Sequence, residues 1–339
     1  MSDDPVSTQV PTRRYRYRQF WPLALLAVAI ALPWVFPSPT MLHVLIMVVL
    51  YAYLAQSWNI VGGYAGQLCL CHTVFFGLGA YTSSLLLIRF GICPWVGMLA
   101  GGVVASAVAS ALGYVTSRLS GHYFAMGTMA FGSVAHVLFL NWKLVRGAQG
   151  LDLPIGRESL LNFQFHLHRA GYFYIILALL VVLVFVIRWI ESSRFGYYLR
   201  AIRGSALASE VMGINTLGCK VKALAISAFF AALAGTFFAQ YVLYIDPESV
   251  LKEMLSIQIC VIAILGGAGH AAGPLVGAAI LIPVSELLRT TLGGTARGID
   301  FMLYGAVIVA VALFQPGGVV EFFRFRVPVA MSDSGRSKV

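Results

Sequence analysis

The chain has 339 residues, of which 59% are hydrophobic and only 11% charged, with a mean hydropathy of +0.84. A soluble domain carries about 25% charged residues, so this composition excludes one and places the chain in a membrane. The formal charge of +10 does not point to nucleic acid, because the Lys and Arg residues sit at the ends of apolar runs, as membrane orientation requires, and not in one basic domain.

Taken in chain order, residues 1–20 form a basic tail containing RRYRYR at 13–18. The apolar run 21–36 follows without a small-x-small cleavage site and is expected to remain as an uncleaved first span. Further spans are expected at 41–61, 70–90, 94–115, 123–142, 171–190, 223–245, 255–265, 274–288 and 301–314. This makes an all-α polytopic membrane protein of about ten transmembrane helices. The membrane domain covers 21–318, and 319–339 form a C-terminal tail. The spans 255–265 and 274–288 are short, and GGAGHAAG (266–273) between them suggests helices with a broken turn. With the N-terminus inside, fifteen of the 23 Lys and Arg fall on the inner side, which favours both termini inside.

The stretch 188–222 interrupts the apolar pattern with six basic residues, and burying these in lipid would cost on the order of 15 kcal/mol. Its local pattern is nevertheless ordered. Phe195, Leu199, Ile202 and Ala206 share one helical face, and Arg200 and Arg203 lie three apart on another. Ser205 can cap a short helix over 206–212, and Gly213 can end it in a left-handed turn. Such a short helix does not persist alone in water. Two readings stay open on pattern alone: a linker whose basic residues meet lipid headgroups, or a docking element for a partner in the water.

Polar groups at membrane depth are costly and mark functional candidates. Here they are Gln56, Asn59, Gln67, His72, His136, Gln240, Gln258, His270 and Glu286, each of which could equally make an ordinary helix–helix hydrogen bond. Glycines are dense at Gly62, Gly63, Gly66, Gly77, Gly79, Gly266, Gly267, Gly269 and Gly273, as in close helix packing or in broken helices that line a path. A tentative solute path is assigned to Gln56, Asn59, Gly62, Gly63, Gly66, Gln67, His72, Gly266, Gly267 and Gly269. The five cysteines (Cys69, Cys71, Cys93, Cys219, Cys260) lack CxxC spacing and read as small apolar fillers, with no metal expected. No Asp or Glu is expected firmly inside a span, which leaves no ion-coupling site and speaks against a secondary transporter. Neither a zinc-protease H-E-x-x-H nor a phosphate-binding P-loop is present, so the chain is not expected to be an enzyme or to hydrolyse ATP.

Seven blocks carry a resemblance. The run Ala208, Ser209, Glu210, Val211, Met212, Gly213, Ile214, Asn215 is similar to the cytoplasmic loop of ABC importer permeases, particularly the branched-chain (hydrophobic) amino acid permeases of the LivM type. FGYYLRAIR (195–203) precedes it and KALAISAFFAALAGTFFA (222–239) follows. NIVGGYAGQLCLCHTVFFGLGAYT (59–82), GHYFAMGTMAF (121–131), ILGGAGHAAGPLVGA (264–278) and FQPGG (314–318) resemble further blocks of that family. The resemblance implies a permease half-channel in a bacterial inner membrane, working with a second, LivH-like permease, two ATP-binding subunits and a periplasmic solute-binding protein. ATP is then bound by the partners, and this chain holds no cofactor. It further implies that Ser205, Ala206, Ala208, Ser209, Glu210, Gly213, Ile214 and Asn215, within a segment 191–222, form a coupling helix against an ATPase. The solutes implied are branched-chain or related amino acids, with urea and small organic acids as alternatives in the wider family. Cys69 and Cys71 stand where that family has Ser and Gly, and Gly204-Ser205 stands where it has an acidic pair.

Overall fold

The computed structural model describes residues 30–34, 38–116, 119, 121–154, 163–165, 170–292, 305–306 and 318–319. The chain divides into two compact units, Met1–His43 and Val44–Val339. In the first, residues 30–34 and 39–43 are helical. The rest of the fold concerns the second.

The apolar runs become helices close to where the sequence puts them. Helix α1 spans Pro39–Asn59 and continues as a π-helix over Ile60–Tyr64. Helices α2 (His72–Phe90), α3 (Pro94–Thr116), α4 (His122–Asn141) and α5 (Ala170–Ser192) follow. Two short helices, α6 (Arg194–Gly204) and α7 (Ala206–Val211), lead into α8 (Thr216–Val242). The chain then passes through α9 (Pro247–Val250), α10 (Glu253–Gly266) and α11 (Gly273–Leu292). Among the described residues seven helices are long and apolar enough to cross a membrane, and the stretch Gly273–Leu287 is a shorter apolar helix. The expected figure of about ten is therefore not reached by these residues; the expected spans 21–36 and 301–314 lie outside them except for 30–34 and 305–306.

The core is a three-helix packing of α2, α3 and α8. Helices α3 and α8 run antiparallel, with Gly113 against Val221 and Gly102 against the Phe229 ring. Helix α8 runs parallel to α2, with His72 beside Ser227 and Gly79 beside Thr236, and the crossing brings Gly79 onto Ala232 and Gly235 onto Phe76. A methyl group at Gly79 would lie 2.0 Å from the Ala232 carbonyl oxygen, and one at Gly235 1.9 Å from that of Phe76. Backbones in contact at this range gain dispersion that lipid tails cannot match, and only glycine permits it. Thr236 reinforces the pair by donating its hydroxyl to the Gly79 carbonyl at 3.1 Å.

Helix α5 shows the opposite pattern. Ile176, Leu180, Leu183 and Ile187 are buried, whereas Val181, Val182, Phe185 and Trp189 on the other side are exposed and apolar. That is the face a helix presents to hydrocarbon.

Two features depart from the sequence reading. The first is a two-stranded antiparallel pairing, β1 (Leu151–Asp152) with β2 (Tyr244–Ile245), which pins the loop after α4 to the end of α8. The second is the depth of Glu253. Its carboxylate accepts a short hydrogen bond from the Ser133 hydroxyl, midway along α4. The absence of a carboxylate from the spans, expected from sequence, is thus corrected: after β2 the chain turns back inward through α9, and Leu251 packs on Gly77 in the first half of α2.

Candidate functional site

The water-facing segment folds through three side-chain caps in succession. Ser193 accepts from the Gly196 amide to start α6, Ser205 from the Ala208 amide at 3.2 Å to start α7, and Asn215 from the Gly218 amide at 2.8 Å to start α8. Each replaces a hydrogen bond that the first turn of a helix lacks. Helix α7 ends one residue earlier than the sequence suggests, with Met212 as its cap. Gly213 then takes φ of +82°, its amide bonding to the Glu210 carbonyl while Ile214 bonds back to Ser209. Glu210 closes the turn by accepting from the Thr216 hydroxyl, and the Ser209 hydroxyl donates to the Ser205 carbonyl. The expected apolar face holds in part: Leu199 and Ile202 are buried, and Phe195 and Ala206 half-buried. On the other side Leu207, Val211 and Met212 are 78%, 89% and 81% exposed. Three large apolar side chains at that exposure, on a helix of six residues, form a small uncovered apolar surface.

Behind this segment lies a junction of broken helices. Widening α1 into a π-helix at residues 60–64 frees backbone groups, as such bulges do. The side chain of Asn59 bridges to the turn between α10 and α11: its Oδ1 accepts from the Gly269 amide at 2.7 Å, and its Nδ2 donates to the His270 carbonyl at 3.1 Å. One turn earlier, Gln56 Nε2 donates to the Ala271 carbonyl at 3.0 Å. The three-residue spacing of Gln56 and Asn59 thus puts both on one contact face, as helix geometry requires. Gly63 and Gly269 touch directly; a methyl on Gly63 would lie 2.4 Å from the Gly269 nitrogen. The two glycine clusters, more than 200 residues apart, form one packed joint. Gly318 of the C-terminal PGG sequence adds to it, lying against Gly267.

Arg203 ties the two regions together. From the last turn of α6 its Nη1 donates to the Gly63 carbonyl at 2.6 Å. Its guanidinium also occupies the space over Gly269, where a methyl group would lie 2.1 Å from Nη1, and its stem covers Gly66. A second tie runs through Glu191 at the end of α5. Its side chain accepts from the Tyr64 hydroxyl, and its carbonyl accepts from Arg200, whose guanidinium also stacks 5.1 Å from the Tyr197 ring.

Of the remaining path residues, Gly62 faces the Trp58 ring within its own helix, and Gln67 bonds back to the Val61 carbonyl through its amide. His72 is fully buried away from the joint, 2.7 Å from the Ser227 hydroxyl, which itself donates to the Ser57 carbonyl. Ser227 therefore has its proton engaged, and His72 Nε2 must be the donor to it. The Cys69 and Cys71 sulfurs lie 3.4 Å apart as free thiols. Among the described residues no group of three or more His, Cys, Asp or Glu could hold a metal ion. Gly266 packs on Gly273 and Gly267 on Gly318, as part of the joint. Sequence reasoning did not foresee the role of Arg203; its three-residue spacing from Arg200 marked a polar face but not its target.

Seven helices long and apolar enough to cross a membrane, with helices broken at glycine clusters, make this a multi-pass membrane protein. The sequence matches, over residues 40–312, the family described as "Branched-chain amino acid transport system / permease component", and the chain belongs to it. It is 28% identical to the high-affinity branched-chain amino acid transport system permease protein LivM of Salmonella typhimurium, covering 93% of this chain and 77% of that one. The LivM protein of Escherichia coli K12 is likewise 28% identical, over 89% of this chain and 75% of its own. A probable LivH permease of Methanocaldococcus jannaschii is 24% identical over 71% of this chain and 79% of its own. No solved structure matches the chain.

Proposed function

We propose that this chain is one permease of an ABC importer for branched-chain or related amino acids, moved by partner ATPases through α7. The complete assembly has a second, LivH-like permease, two ATP-binding subunits and a periplasmic solute-binding protein, in a bacterial inner membrane. Both termini and α7 face the cytoplasm. This chain binds no ATP and catalyses nothing; its work is to change shape.

The observation that carries the reading is the hydrogen bond from Arg203 to Gly63. An ATPase surface that covers Leu207, Val211 and Met212 gains the burial of three apolar side chains, each about 1.5–3 kcal/mol when fully covered. When the ATPases close on ATP, that surface shifts α7, which passes the shift through Ser205 to α6 and through the capped turn at Gly213 to α8. Arg203 then carries it to the joint where α1 and the α10–α11 turn meet. A joint made of glycine backbones and two amide side chains can adopt a second packing without stranding charge. Movement there tilts the helices that bound the solute path.

The test is purification of the tagged chain in mild detergent together with uptake measurement. ATP-binding subunits and a second permease should come with it. Val211→Asp should abolish ATP-driven uptake of leucine and release the ATPase subunits while the chain remains inserted, because the Val211 side chain is almost wholly exposed. Unchanged uptake by Val211→Asp would overturn the coupling role.

A further inference from the structure

A cluster of charged side chains lies beside the middle of α4, outside the joint. Ser133 and His136 project from the middle of α4, and Glu248, Lys252 and Glu253 come from α9 and the start of α10. Ser133 lies eight residues from the Asn141 end of α4 and eleven from its His122 end, or about 12 Å and about 16 Å at 1.5 Å per residue. The cluster is also tied to the first turns of α2, where the Thr73 amide donates to the Ser256 hydroxyl at 3.0 Å and Gly77 packs on Leu251.

Within this cluster the charges are unequally matched. Glu248 is held by Lys252 at 3.2 Å, and His136 Nε2 lies 3.4 Å from its other carboxylate oxygen. Glu253 accepts from the neutral Ser133 hydroxyl and, among the described residues, makes no ion pair. The side chains of Glu248 and Lys252 are 53% and 58% exposed. Facing hydrocarbon, each such charge would cost about 2.5–3.5 kcal/mol on the insertion scale. The apolar face of α5 shows what this chain offers to lipid, and this face is unlike it.

We propose that the α4–α9–α10 face is a water-filled wall of the solute path, and that Glu253, seated by Ser133, takes the ammonium group of a zwitterionic solute as it passes. An ammonium provides the counter-charge that Glu253 lacks and forms charge-assisted hydrogen bonds with it. The Lys252–Glu248 pair beside it keeps the wall hydrated without adding net charge. This inference builds on the importer reading for its solute class, but the wall itself does not depend on it.

Two measurements on the assembled transporter test it. In membranes, Glu248→Cys and Lys252→Cys should react with a charged, membrane-impermeant thiol reagent well above the unsubstituted chain and faster than Phe185→Cys on α5. No such difference would overturn the wall, whatever the transporter carries. In proteoliposomes with ATP and the binding protein, Glu253→Gln should lower uptake of radiolabelled L-leucine about tenfold or more, the loss of a hydrogen bond to a charged group. ATP hydrolysis should persist, and Glu253→Asp should restore part of the uptake. Unimpaired uptake by Glu253→Gln, or equal loss in Glu253→Gln and Glu253→Asp, would overturn the ammonium role. Absence of ATP-driven leucine uptake by the unsubstituted assembly would count against the importer reading instead.

Discussion

The α2–α3–α8 core and the α6–α7 arm are built by contrary means. In the core, backbone meets backbone at Gly79 and Gly235 with no side chain between them, over helices of 19 to 27 residues. In the arm, helices of eleven and six residues stand on single side-chain caps, and the ties to the joint run through Arg203 directly and through Arg200 by way of Glu191. The core has one arrangement because there is no slack in it. The arm has defined internal geometry but few attachments, which suits an element that must transmit a displacement. A machine of this kind needs both, and the chain separates them in space.

The largest effect should come from adding volume in the core. Gly235→Leu places its side chain into the Phe76 carbonyl and should cost more than the about 1–3 kcal/mol typical of overpacking, so that little protein accumulates in the membrane. Near-normal accumulation on an immunoblot would erase the proposed contrast. Next, Asn59→Ala strands the Gly269 amide and the His270 carbonyl, each at about 1–3 kcal/mol, and should clearly lower the unfolding temperature in detergent. Arg203→Ala, which strands the single Gly63 carbonyl, should lower that temperature less than Asn59→Ala but separate ATP hydrolysis from uptake, with Arg203→Lys recovering part of the coupling. An equal loss of both activities would mean that Arg203 holds the structure and does not relay movement. Gly213→Ala should cost about 1–2 kcal/mol of local strain at its left-handed φ. The smallest effect is expected from Ser205→Ala, about 1 kcal/mol of cap, read as faster hydrogen exchange confined to α7.

Most of the helices were legible because an apolar run of this length has no other stable state in lipid. Helices α3 to α5 begin and end within two residues of the expected limits. Helix α8 starts seven residues earlier than expected, since Lys220 and Lys222 read as loop residues although a helix can carry them where it leaves the bilayer. The capping grammar around Ser205 and Gly213 was local and therefore readable. What the sequence hid was tertiary. Each glycine cluster announces a break, but nothing in either says that Gly63 will lie on Gly269. The β1–β2 pairing joins strands of two residues, too short to leave a pattern. Glu253 looked like a loop residue because it precedes an apolar run, and only the inward turn through α9 carries it to Ser133.

The apolar tip of α7 has a consequence beyond transport. In the proposed assembly, a copy without its ATPase partner leaves Leu207, Val211 and Met212 uncovered, and such a patch invites self-association. On that reading, supply of the subunits in matched amounts keeps this tip covered as well as serving transport.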